Sequence, residues 1–184
     1  MGKGSGGTRS KGPSHRVIEF PSYAIGQSML MIGKSAVTDI LRSFGDGEDN
    51  IKKAFLLLNN HGGNSYQQEE ADPQLYELIN DKGSSVGKTL RDIAAINEAQ
   101  FLQAMAKRPE AERDITVYRG GARKDVEAWT RDPEGADTGS GRIQVGYSSS
   151  IRTLLKTHYM VGGISQGVGA PGEAEVLFIR RRKK

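Results

Sequence analysis

The chain has no cysteine among its 184 residues. That excludes a disulfide framework and thiol catalysis, and it removes the commonest partner of histidine in structural zinc sites. Long apolar runs are missing as well. None approaches the roughly 18 residues that a membrane span requires, and no apolar signal-peptide core follows Lys3. Met1-Gly2 would suit myristoylation, but Gly6 stands where that motif wants serine or threonine. Export is therefore expected through a route that cleaves no N-terminal signal, or on a larger carrier polypeptide. A net positive charge is absent from the folded body. Residues 1–16 carry four cations and no acid, and residues 180–184 carry five more. Subtracting those nine from the whole-chain +4 leaves residues 17–179 at −5. A body built to follow a phosphate backbone would be basic, so nucleic acid is disfavoured as the main partner.

What is present describes one domain. An apolar content of 36% and a charged content of 26% suit a globular chain long enough to bury its own core. Residues 1–15 (MGKGSGGTRSKGPSH) form a basic Gly/Ser-rich leader, 16–179 the domain and 180–184 a basic tail. Apolar spacing predicts helices over 34–44, 50–58, 74–80 and 89–107, the last capped by Thr89 and closed by Pro109. The polar stretch 59–73, with Gly62-Gly63 and Pro73, reads as loop. Short strands are expected over 114–119, 142–148 and 175–179. Helices first and strands second give an α+β fold rather than an alternating one.

Several motifs fail on inspection. Gly33-Lys34-Ser35 and Gly87-Lys88-Thr89 resemble the end of a phosphate-binding loop, but Ser28 and Lys82 occupy the positions where its first glycine belongs. His15, His61 and His158 are too far apart to suggest a metal site. Trp129 lies in a polar segment and reads as loop packing.

Three pieces of the second half carry chemistry together. In Ile115-Thr116-Val117-Tyr118-Arg119-Gly120-Gly121, strand alternation puts Arg119 on the face of Ile115 and Val117. Such an arginine must either snorkel to water or meet an anion. Gly146-Tyr147-Ser148-Ser149-Ser150 places three serines after an aromatic residue; taken alone it would be an ordinary turn. Gly172-Glu173-Ala174-Glu175-Val176-Leu177 opens a strand with two carboxylates on one face, and the residues beyond are apolar on both faces.

In that order, the pieces resemble the R-S-E class of mono-ADP-ribosyltransferases, the cholera-toxin-like group. The resemblance covers residues 90–179 or so. It implies helices followed by a small, mostly antiparallel β-sandwich around an NAD cleft. It also implies catalytic roles for Arg119, Ser148, Glu173 and Glu175, with Gly120, Tyr147, Ser149 and Ser150 lining the NAD site. Here Tyr147 is followed directly by the serine triplet, so either Ser148 or Ser149 could be the key serine; the triplet and the following isoleucine favour Ser148. By resemblance, Glu175 stabilises the oxocarbenium-like transition state, Ser148 orients Glu175, and Arg119 grips the NAD phosphates. Glu173 would orient an acceptor arginine and take its proton. NAD is then a co-substrate, and no metal is called for.

The expected partner is a target protein bearing the acceptor arginine, without membrane insertion. A small catalytic domain behind a flexible leader suits a bacterial toxin effector, delivered by contact and opposed by a cognate immunity protein, or a phage enzyme acting in the host cytoplasm. NAD hydrolysis, or transfer to a nucleic acid or small molecule, would use the same residues. The alternative of another class is a non-catalytic binding module.

Overall fold

The computed structural model describes residues 18–20, 32–132, 146–163 and 175–183. The leader, Glu173, residues 142–145 and most of the loop 162–172 lie outside them. Four helices come first: α1 (Lys34–Ser43), α2 (Glu48–His61), α3 (Ser65–Asn80) and α4 (Ser85–Ala106). Strands β1 (Thr116–Arg119), β2 (Val126–Thr130) and β3 (Tyr147–Ser150) follow, then the short α5 (Ile151–Leu155), β4 (His158–Gly163) and β5 (Glu175–Arg180). The α+β reading therefore stands. Among the described residues the strands form one five-stranded sheet, ordered β3-β1-β2-β5-β4, and every neighbouring pair is antiparallel.

Two helical expectations need correction. Residues 65–73 are not loop but the first half of α3. Asn64 supplies its cap: the Asn64 side chain accepts from the Gln67 backbone N–H at 2.9 Å, while the Gln67 side chain accepts from the Asn64 N–H at 3.1 Å. Pro73 sits inside the helix, where it costs roughly 3 kcal/mol. Burial of Ala71, Leu75 and Ile79 against α2 and α4 offsets that cost. The second correction concerns α4, which starts at Ser85. Ser84 is its cap, accepting from the Gly87 N–H at 2.9 Å. Thr89 is one turn inside and fully buried.

Thr89 belongs instead to a buried polar cluster beneath the α1–α2 turn, where Gly45 adopts φ 88°. Its hydroxyl donates to Asp46 Oδ1 at 3.0 Å, and Lys88 Nζ reaches Asp46 at 3.1 Å and Asp92 at 2.7 Å. Burial, and then the adjoining Asp46 carboxyl, push Asp92 up to about 6. A carboxyl whose folded pKa exceeds its unfolded one stabilises most when protonated. That stability is full below about pH 3.8 and is lost as pH rises through about 6. Thermal unfolding at pH 5 and pH 7.5 should therefore differ by a contribution on the order of 1 kcal/mol that Asp92→Asn abolishes. An equal pH difference in both proteins would refute the assignment.

The sheet separates two cores. On one face Val126, Leu177, Ile179 and Val161 pack with Ile40, Leu75, Leu90 and Ile93 of the helices. On the other, Val117, Trp129, Val176, Phe178 and Met160 pack with Phe101, Met105, Ile151 and Leu154. The 22-residue α4 contributes to both. As expected of a strand buried on both sides, Val176 to Ile179 of β5 are all buried.

Candidate active site

The backbone register sets the geometry. Tyr118 pairs with Ser148 on one side and Thr130 on the other, and Thr130 pairs with Glu175. Ser148, Tyr118, Thr130 and Glu175 thus form one row across four strands and share a face. Arg119 pairs with Tyr147 one step along, so it points to the opposite face. The sheet is staggered here: β2 ends and β5 begins at this row, whereas β1 and β3 run on.

This register corrects one expected contact. Strands β1 and β2 stand between β3 and β5, so three interstrand steps place the Ser148 and Glu175 backbones roughly 14 Å apart. A serine hydroxyl cannot bridge that distance, and Ser148, which is exposed, does not orient Glu175. The hydroxyl residue opposite Glu175 is the buried Thr130, whose Oγ1 accepts from the Asp132 N–H at 3.1 Å. Ser149 donates to the Ser150 carbonyl, and Ser150 caps α5 by accepting from the Thr153 N–H at 3.1 Å. The last two serines therefore have local structural work. Glu173 lies outside the described residues.

Arg119 does face Val117's side of the sheet, and the anion it meets belongs to the chain itself. Its Nε lies 3.6 Å from Glu127 Oε2. Glu127 has no exposed side-chain surface and is surrounded by donors. Arg123 reaches it with Nε at 2.7 Å and Nη2 at 3.2 Å, the Lys124 N–H donates at 2.8 Å, and Trp129 Nε1 donates at 3.4 Å. His158 Nε2 is 3.4 Å away, without a hydrogen bond of good geometry. Burial alone would raise the Glu127 pKa. The His158 ring, the Arg123 fork and the Lys124 N–H outweigh it and hold the carboxyl far below its ordinary range. Arg119 is pushed the other way. Its burial lowers its pKa, with Glu127 opposing, Arg123 adding and Glu175 opposing. Glu175 is therefore close enough to act on Arg119 electrostatically even though the two leave opposite faces.

Glu127, Arg123 and the strand β2 that carries Glu127 escape a reading of the sequence. Lys124-Asp125-Val126-Glu127-Ala128-Trp129-Thr130-Arg131-Asp132 is too charged to read as a strand with two buried faces, and Trp129 is in fact 1% exposed within β2 rather than in a loop. The available signal was the unsatisfied Arg119, which needed a carboxylate partner. A cavity of about 470 Å³ opens at α1 and α2, lined among others by Lys34, Thr38, Ile51, Lys52 and Phe55. None of the residues above lines it. Among the described residues, no group of three His, Asp or Glu side chains gathers as metal ligands.

Compared with known proteins, the chain matches no family model, no curated protein and no solved structure.

Proposed function

We propose that this chain is a mono-ADP-ribosyltransferase that splits NAD and transfers ADP-ribose to an arginine of a target protein. The observation that carries the reading is that the described parts of the three sequence pieces lie in adjacent rows of a single sheet, with Arg119 and Glu175 leaving opposite faces. Arg119 and Tyr147 are cross-strand partners, and Glu175 opens β5 one row away, within electrostatic reach of Arg119. A carboxylate at the start of a buried strand can stabilise the cation that develops on the ribose as the nicotinamide bond breaks. Nicotinamide leaves as a neutral base, so no general acid is required at that bond. Glu173, two residues earlier, supplies the acceptor chemistry in this reading. The finer fold assignment, a sandwich around an NAD cleft, belongs to the same proposal.

Two observations favour the second reading, a non-catalytic binding module. Ser148 is too distant to hold Glu175, and three Arg119 hydrogen bonds end on backbone carbonyls. NAD turnover separates the two. The whole chain, incubated with labelled NAD and a bacterial lysate, should release nicotinamide and label discrete proteins at arginine. Glu175→Gln should lower that rate at least about a hundredfold with its thermal unfolding unchanged. Folded wild-type protein that releases no nicotinamide would sink the enzyme reading.

A further inference from the structure

The two arginines beside Glu127 are engaged very differently. Arg119 donates from Nε at 2.8 Å and from Nη2 at 2.6 Å to the Ala122 carbonyl, and from Nη1 at 2.9 Å to the Ala128 carbonyl. Three of the five N–H donors of a guanidinium are thus committed to backbone, and the side chain is only 11% exposed. Its bonds tie the segment after β1 to β2. Little of Arg119 is left for a ligand.

Arg123 presents the opposite balance. One edge of its fork, Nε and Nη2, lies against the two oxygens of Glu127. The other edge, built on Nη1 and the second Nη2 hydrogen, makes no hydrogen bond among the described residues, and the side chain is 34% exposed. Its guanidinium carbon lies 5.2 Å from the Trp129 ring centroid and 5.4 Å from that of Tyr147. Two aromatic faces and a buried carboxylate therefore fix a planar cation with a free edge. Such a fork is suited to two oxygens of a phosphate. A fork edge of this kind favours an anionic, two-oxygen ligand over a neutral one.

Resting on the proposed NAD chemistry, we propose that Arg123 is the side chain that binds the diphosphate of the dinucleotide, while Arg119 holds the backbone that presents it. The role that the family resemblance assigns to Arg119 passes to the residue four positions later. Tyr147, 43% exposed beside Arg123, then forms one wall of the diphosphate site.

Calorimetric titration of the whole chain with ADP-ribose and with inorganic pyrophosphate tests this. Wild type should bind both, and Arg123→Gln should weaken both at least tenfold, with Arg123→Lys intermediate because it keeps the charge and loses the fork. Thermal unfolding of each variant establishes that it is folded. Equal affinities in wild type and folded Arg123→Gln would overturn the inference, as would a wild type that binds neither ligand. Pyrophosphate binding that depends on Arg123, with no binding of ADP-ribose, would uphold the anion site and sink the NAD reading instead.

Discussion

Glu127→Ala is expected to destabilise the fold by about 3–5 kcal/mol, the range for removing one partner of a buried ion pair. The side chain is wholly buried, and it is the common acceptor for Arg123, the Lys124 N–H and Trp129 Nε1, with Arg119 at 3.6 Å. Without it, Arg123 can turn its exposed edge further into water. Arg119 cannot, because its donors are fixed on Ala122 and Ala128. The loss is therefore concentrated in one uncompensated buried cation and one unpartnered indole N–H. Glu127→Gln should cost less, since its one amide oxygen can still accept from the Lys124 N–H or from Trp129 Nε1, which donate to different oxygens of Glu127. Acid has a related effect. A carboxyl held far below its usual 4.5 stabilises fully above that value, and the stability is lost as pH falls towards the folded pKa. The wild-type melting temperature should therefore fall between pH 5 and pH 3, and the fall should be shallower in Glu127→Gln. Denaturant titrations at neutral pH measure the first effect. A loss below about 1 kcal/mol in Glu127→Ala would mean that the cluster is solvated and that Arg123 is not fixed as argued.

A single methyl group at Gly87 should be nearly as damaging. A Cβ there would overlap the Leu78 carbonyl oxygen, with the Leu78 carbonyl carbon at 3.0 Å and Arg91 Nη1 at 3.1 Å. Overpacking usually costs 1–3 kcal/mol where side chains can yield. Here the obstacle is backbone of a packed neighbouring helix, so α3 and α4 must separate. Separation also pulls Arg91 from the Ile79 and Asp81 carbonyls, each now at 2.9 Å, which close the end of α3. Alanine gains about 1 kcal/mol of helix propensity over glycine, too little to compensate. Gly87→Ala should lose at least about 3 kcal/mol of unfolding free energy, seen as a lower denaturant midpoint at unchanged slope. Gly83→Ala, whose Cβ would meet only the Asp81 side chain at 3.4 Å, should be close to neutral. A stable Gly87→Ala would show that the two helices are not packed this closely.

Gly87 also shows how a short motif misleads. Gly87-Lys88-Thr89 looks like part of a phosphate-binding loop, yet each residue has a packing task. Gly87 admits α3, Lys88 bridges Asp46 and Asp92, and Thr89 donates to Asp46. Apart from the i,i+4 pairing of Lys88 with Asp92, no local pattern encodes those partners, because Leu78 belongs to the preceding helix and Asp46 to the turn between α1 and α2.

By itself, the sequence determined the helix-then-strand order, the helical spacing of Ala36, Val37, Ile40 and Leu41, and the doubly buried run Val176 to Ile179. Each follows from local periodicity and the burial of apolar side chains. It also determined that Arg119 leaves its strand on the face of Val117, because alternation along a strand is fixed by the backbone. Tertiary structure decided the rest. Helix α3 runs through Pro73 because its buried face outweighs a local penalty. Strand β2 forms in a charged segment because β1 and β5 pair with its two edges and Arg119 and Arg123 neutralise Glu127. Strand order, which no single segment specifies, put two strands between Ser148 and Glu175. It also placed Arg123 beside the carboxylate and aromatic rings that fix it, since contacts between residues far apart in the chain exist only once the sheet has assembled.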